Sequence, residues 1–263
     1  MSMDLYARRY NLDLAAAWVR GHALATGIPP LDPELLDMPL EVLLEKELAA
    51  IVEAGSRTGL KLYPFKRDKA ILPRVRQVLG FLQGIEFEAL LDVGSGRGVF
   101  LLPFLEEFPW VRVTALDLLE ERMTFLNELS AGGYSQLTAH RQDICRQPFP
   151  DNSFDVVTML EVLEHIPEVE KAVTAAVRMA KKYVVVSVPS KPDDNPEHIH
   201  LLTRDILTEL FTQVGCGRLH FSGVDGHLIL VANLGKGVTI ERFNLKKVSP
   251  DAPSGGVSPP ARG

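Results

Sequence analysis

Leu90-Leu91-Asp92-Val93-Gly94-Ser95-Gly96-Arg97-Gly98-Val99-Phe100 is the stretch from which the fold is read. An apolar run enters a turn with Gly at every second position, and a second apolar run with helical spacing leaves it. The pattern predicts strand, tight turn, helix. In an open α/β sheet such a turn lies at the carboxyl end of a strand, where ligands bind. Glycine tolerates the dihedrals of the turn and lets backbone N–H groups come close to a ligand. The spacing is G-x-G-x-G. A dinucleotide fingerprint, G-x-G-x-x-G, needs Gly at position 99, where Val99 stands, so a nicotinamide-linked dehydrogenase is disfavoured.

Downstream, strands and helices alternate. Strands are predicted over 90–93, 111–116 (ending at Asp117), 137–141, 154–160 and 183–188, the last stopped by Pro189. Helices are predicted over 99–108, 120–129 and 168–180, with a further one capped by Thr203. Arg218–Ser222 and His227–Ala232, joined by Gly223-Val224-Asp225-Gly226, read as an antiparallel pair. The alternation predicts a doubly wound, mainly parallel α/β sheet.

Upstream, Leu12, Ala15, Ala16 and Val19 recur at helical spacing, and Asp32-Pro33 reads as the start of another helix. Leu40, Leu43, Leu44, Leu48 and Ile51 form a second apolar stripe. We read residues 1–80 as a helical extension packed on the sheet or on another subunit, with a lid over substrate as the alternative. Residues 57–76 are basic (Arg57, Lys61, Lys66, Arg67, Lys69, Arg74, Arg76) with Tyr63 and Phe65 interleaved. That stretch reads as the solvated face of a helix and its preceding loop; its alternative is a surface for RNA or an anionic substrate. Residues 81–234 make the core, and 235–263, rich in Ser, Pro and Gly, are expected to be a flexible tail.

The net charge of −6 over 263 residues argues against a chain-wide nucleic-acid surface, and an apolar fraction of 46% suits a sizeable core. Two cysteines, Cys145 and Cys216, do not make a disulfide framework and point to a reducing compartment. No apolar run reaches the ~20 residues that span a bilayer. Arg8-Arg9 followed by 12–19 imitates a leader peptide, but Asp13 interrupts it and no cleavage site follows, so a cytoplasmic protein is expected. The oligomeric state is left open.

Acidic residues fall in or at the ends of three strands: Asp92, then Asp117, then Asp143. A carboxylate at Asp117 is placed to accept both hydroxyls of a ribose, and one at Asp143 an adenine amino group. The glycine turn then lies against the amino-acid portion of an adenosyl ligand. With Leu91–Gly98, Leu116-Asp117, Gln142-Asp143-Ile144, Phe149–Val157 and Glu161-Val162-Leu163-Glu164-His165-Ile166, the chain over about 85–233 resembles the class I S-adenosylmethionine (SAM)-dependent methyltransferases. The resemblance implies a seven-stranded sheet with an antiparallel last strand. It also implies a cofactor set of Asp92, Gly94, Gly96, Gly98, Asp117, Leu118, Asp143, Ile144 and Glu161. The activity implied is methyl transfer to a small-molecule acceptor. RNA methylation and SAM binding without turnover stand as alternatives.

Methyl transfer is an in-line displacement, so the protein chiefly aligns the nucleophile, and a base is needed only where the acceptor loses a proton. Glu164, His165, His198 and His200 are the catalytic candidates, with Glu161 beside them. Glu161, Glu164 and His165 stand at i, i+3, i+4, on one face of any helical turn. The run resembles the Glu-x-x-Glu-His metal motif of small-RNA 2′-O-methyltransferases, also carried by some ubiquinone-pathway O-methyltransferases. A divalent ion, not the favoured reading, would take Glu161, Glu164, His165 and His200. His198 and His200 alternate and are expected to face the same way. His22, His140, His220 and His227 carry no motif and read as structural or surface residues.

Overall fold

The computed structural model describes residues 10–67, 71–192 and 194–235. Arg8 and Arg9, Lys69 of the basic stretch, Asp193 of the proline loop and residues 236–263 of the expected tail lie outside the described residues. Seven strands form one sheet: β1 (Ala89–Val93), β2 (Arg112–Asp117), β3 (Leu137–Arg141), β4 (Phe154–Leu160), β5 (Ala180–Pro189), β6 (Leu219–Val224) and β7 (His227–Asn233). Their order is β3-β2-β1-β4-β5-β7-β6. The first five are parallel, and β7 runs antiparallel between β5 and β6. This is the predicted sheet, last strand included. Order reverses at β1, which places a ligand crevice beyond its carboxyl end.

Period-two alternation divides the central strands between two cores. Leu90 faces one apolar cluster and Leu91 the other. The first face carries helices α1 (Leu12–Thr26), α3 (Glu45–Arg57), α4 (Pro73–Gln83), α5 (Leu101–Glu107) and α6 (Glu120–Ala131), and the short α2 (Pro33–Asp37) lies between α1 and α3 in the chain. The second face carries α7 (Val169–Met179) and α8 (Arg204–Gln213). Asp32 caps α2 through Glu34 N (3.0 Å), and Thr203 caps α8 through Ile206 N (3.4 Å).

The N-terminal helices share the first core with the sheet. Ala15, Ala16, Ala17 and Val19 of α1 are fully buried. The approach of α1 to α6 is at backbone distance. A Cβ on Gly132 would stand 1.7 Å from the Ala17 carbonyl oxygen, and one on Gly21 1.7 Å from that of Glu128. Around this contact Trp18 Nε1 donates to Glu128 Oε2 (2.9 Å), and His22 Nδ1 meets Glu128 Oε1 (2.9 Å). α1 is thus a wall of the core.

The larger departures from the sequence reading are at the start of α5, at β5 and at the β6–β7 turn. α5 starts at Leu101 rather than Val99, because Gly98 has φ +73 and the turn runs on past it. β5 is longer at both ends, since Ala180 pairs with Phe154 across a register shift and Pro189 with His227. The β6–β7 connection shrinks to Asp225-Gly226, both with positive φ (43° and 80°), the geometry of a two-residue hairpin turn. Among the described residues, no helix is long and apolar enough to cross a membrane.

Candidate active site

The glycine turn leaves β1 and is clamped on both sides. Gly94 N donates to Leu116 O of β2 (2.6 Å). Gly94 has φ +68, and a Cβ there would lie 2.5 Å from a methyl of Val162, just past β4. Gly96 (φ +54) differs: its missing Cβ would meet only the Gly94 carbonyl oxygen, at 3.7 Å, so this point of the turn faces open space. Asp117, at the tip of β2, accepts from Gly96 N through Oδ2 (2.9 Å) and from Leu119 N through Oδ1 (3.0 Å). The predicted meeting of glycine turn and β2 carboxylate is therefore a direct hydrogen bond. Leu118 beside it is 61% exposed, an apolar platform next to the acid.

Asp92 lies behind the turn, 3% exposed. Thr158 Oγ1 of β4 donates to its Oδ1 (2.7 Å), and Ser95 Oγ donates to its carbonyl oxygen (3.1 Å). Burial pushes the carboxyl up to about 6, against the hydrogen bond from Thr158. At the next strand, Asp143 caps a 3₁₀ turn (Ile144–Arg146) by accepting from Cys145 N (2.9 Å), and Ile144 is buried. Burial and the Asp143 charge push the Cys145 thiol up to about 11, so it is no thiolate nucleophile.

On the other side of the turn the acidic and imidazole candidates separate into two groups. Glu164, His165 and His198 come together, one donor atom of each lying within 4.8 Å of the others. Glu164 is fully buried, and the rings of His165 and His198 stand 4.8 Å apart, edge to face. His165 Nδ1 lies 2.9 Å from Glu197 O; donating there leaves the Nε2 lone pair open. The Glu164 carbonyl accepts from Ile199 N (2.9 Å), which ties the proline loop to this segment.

Glu161 and His200 fall outside that group. Leu163–His165 is a single 3₁₀ turn, and Glu161 precedes it with left-handed backbone (φ +59), which turns its side chain elsewhere. Its Oε1 accepts from Ser187 Oγ (2.7 Å), its Oε2 lies 3.1 Å from His227 Nε2, and Arg74 Nε stands 3.9 Å from Oε1. His200 Nε2 bonds instead to Ile166 O (3.0 Å). His198 and His200 thus diverge in their partners, because residues 198–200 are loop and not strand. Among the described residues the metal-capable set is Glu164, His165 and His198; Glu161 and His200 of the expected set Glu161, Glu164, His165 and His200 stand outside it.

His227, expected to be a structural or surface residue, stands at the carboxyl end of β5 beside Glu161. Its signal was topological: the first residue of an antiparallel last strand must lie at the carboxyl end of its parallel neighbour. Arg74, taken as part of a basic run, stands there too. Other members of that run are used locally: Arg57 pairs with Glu53 (2.6 Å), and Arg67 Nε donates to Tyr10 O (2.9 Å).

Residues 91–186 match the family model described as "Methyltransferase domain". A ubiquinone biosynthesis O-methyltransferase of Pseudomonas fluorescens is 33% identical over 103 residues, 37% of this chain and 42% of that protein. One of Yersinia pestis is 30% identical over 140 residues, 52% of this chain and 57% of that protein. The chain thus spans about half the length of these relatives. A crystal structure of an O-methyltransferase family protein from Burkholderia thailandensis has the same fold. It superposes with a TM-score of 0.52 at 14% identity, covering 84% of this chain and 72% of that one.

Proposed function

We propose, because residues 91–186 match a methyltransferase domain model, that the protein transfers a methyl group from SAM to an oxygen of a small-molecule acceptor. The observation that carries the reading is the Asp117–Gly96 hydrogen bond beside the open face of Gly96. It joins a carboxylate able to take ribose hydroxyls to a backbone cradle with room for a ligand. The names of the relatives support oxygen as the methylated atom.

The bound cofactor supplies a methyl group on a positively charged sulfur. Asp117 orients its ribose, Asp143 faces the base, and Leu118 offers the apolar surface beside it. Asp92, behind the turn, favours the cationic amino group. His165 or Glu164 takes the acceptor proton, and the His165–Glu197 hydrogen bond fixes which ring nitrogen does so. Dispersal of the basic residues among local partners favours a small acceptor over RNA. Free Cys145 and Cys216 support a reducing, cytoplasmic setting.

A second reading rests on the convergence of Glu164, His165 and His198. One carboxylate and two imidazoles suit a divalent transition metal, and the His165–Glu197 bond is the outer-sphere support such ligands use. These residues would hold an ion that lowers the pKa of an acceptor hydroxyl.

Calorimetry with S-adenosylhomocysteine (SAH) tests the principal reading. Micromolar binding by the full chain is expected, with a loss of at least about 100-fold in Asp117→Ala, which removes the acceptor of two ribose hydrogen bonds. Unchanged affinity in the variant contradicts the assignment, and SAH binding without any methylated product across an acceptor screen would favour a non-catalytic module.

A further inference from the structure

The pairing of β2 with β3 ends at Asp117 and Arg141. Past that point the chain runs through Leu118 and Leu119 into α6, and both of these residues are more than half exposed, 61% and 53%. Packing does little to fix this connection, although it follows directly on the carboxylate that bonds to the glycine turn. Two consecutive residues at the end of β3 hold it instead. Gln142 N donates to Asp117 O (3.2 Å), and Arg141 Nε donates to Leu118 O (3.0 Å). A side chain thus carries the β2–β3 ladder one carbonyl further than the backbone does.

The Leu118–Leu119 peptide is gripped at both ends. Its carbonyl accepts from Arg141 Nε, and its N–H donates to Asp117 Oδ1 (3.0 Å). One planar unit that resists rotation about its C–N bond joins the guanidinium to the carboxylate. A cation on the carbonyl end polarises that unit and strengthens the hydrogen bond at its other end. With Gly96 N on Oδ2 (2.9 Å), each Asp117 oxygen has one protein donor and keeps an acceptor site, which is what a pair of vicinal hydroxyls needs. Arg141 also meets Glu120 Oε2 (3.2 Å), but both side chains are exposed (63% and 70%), so that pair contributes little.

We propose that Arg141 is a positioning residue for the cofactor, acting through the Leu118–Leu119 peptide to aim the Asp117 carboxylate at the ribose. The inference rests on the methyltransferase reading and extends it to a residue on the third strand.

Calorimetry with SAH on the full chain, arranged as a double-mutant cycle, tests it. Arg141→Ala is expected to weaken SAH about 5- to 10-fold, the size of a charge-assisted hydrogen bond discounted for exposure. Arg141→Lys should recover part of that loss, and Glu120→Gln should bind within about twofold of wild type, because the surface pair is not the contact that matters. Adding Arg141→Ala to Asp117→Ala should cost less than about twofold more, since the effect runs through that carboxylate. Hydrogen exchange read by NMR gives a measure without cofactor: in Arg141→Ala the Leu119 amide should exchange roughly fivefold faster while the amides of β1 keep their rates. Unchanged SAH affinity in Arg141→Ala, losses that add in the double variant, or a Leu119 amide as slow as in wild type overturns the proposal. Should the wild type bind no SAH, the methyltransferase reading fails, and the Leu119 exchange alone decides whether Arg141 holds the strand tip.

Discussion

Replacing Asp92 with Asn should stabilise the protein and weaken its cofactor binding at once. The carboxyl is buried behind the glycine turn, and burial raises its pKa from the ordinary 3.8 to about 6. Between these values the folded chain holds a proton that the unfolded chain has released. Stability therefore falls as pH rises through this window, and above it the full deficit applies. A difference of this size corresponds to about 3 kcal/mol. Asn keeps the oxygen that accepts from Thr158 Oγ1 and never ionises. At about pH 8 the variant without ligand should melt roughly 6–12 °C above wild type, and the gap should close toward about pH 4. The lost carboxylate should reduce SAH affinity by about 1.5–3 kcal/mol, roughly 10- to 150-fold, where the wild type binds a cationic amino group. Wild-type affinity should climb between about pH 5 and 7 as Asp92 ionises, while the variant stays flat. Differential scanning calorimetry and titration across pH read both effects. A variant that melts below wild type at about pH 8, or a pH-independent gap, refutes the reasoning.

Two further outcomes follow from the geometry. Gly132→Ala forces a methyl into the Ala17 carbonyl, so α1 must back away from α6, lowering the melting temperature by about 5–10 °C and exposing α1 to hydrogen exchange; a shift under about 2 °C contradicts the close approach. Titration with Co²⁺ should give a visible d–d band that disappears in His198→Ala and persists in His200→Ala; no band, or the reverse pattern, removes the metal reading.

Local chemistry wrote the glycine-turn side of the crevice into the sequence. β3 and β4 fall where the apolar runs and turn residues put them, and Asp117 meets Gly96 because successive parallel strands place their tips side by side. The side built by Glu161–His165 was less legible because it depends on register and on one backbone dihedral. Helical spacing put Glu161 with Glu164 and His165, but a left-handed residue at 161 followed by a 3₁₀ turn breaks that periodicity. Arg74 and Glu161 lie in segments 87 positions apart. Only the packing of α4 over the sheet brings them together, and no local pattern encodes it.

The reversed course of β7 has a practical corollary. The strand enters beside Pro189, at the reactive rim, and exits opposite Tyr183, at the far rim. The last described residues therefore lie at the back of the molecule. A fluorophore or surface tether placed at that rim should leave the entrance clear, so the far rim is the side to use for immobilised assays.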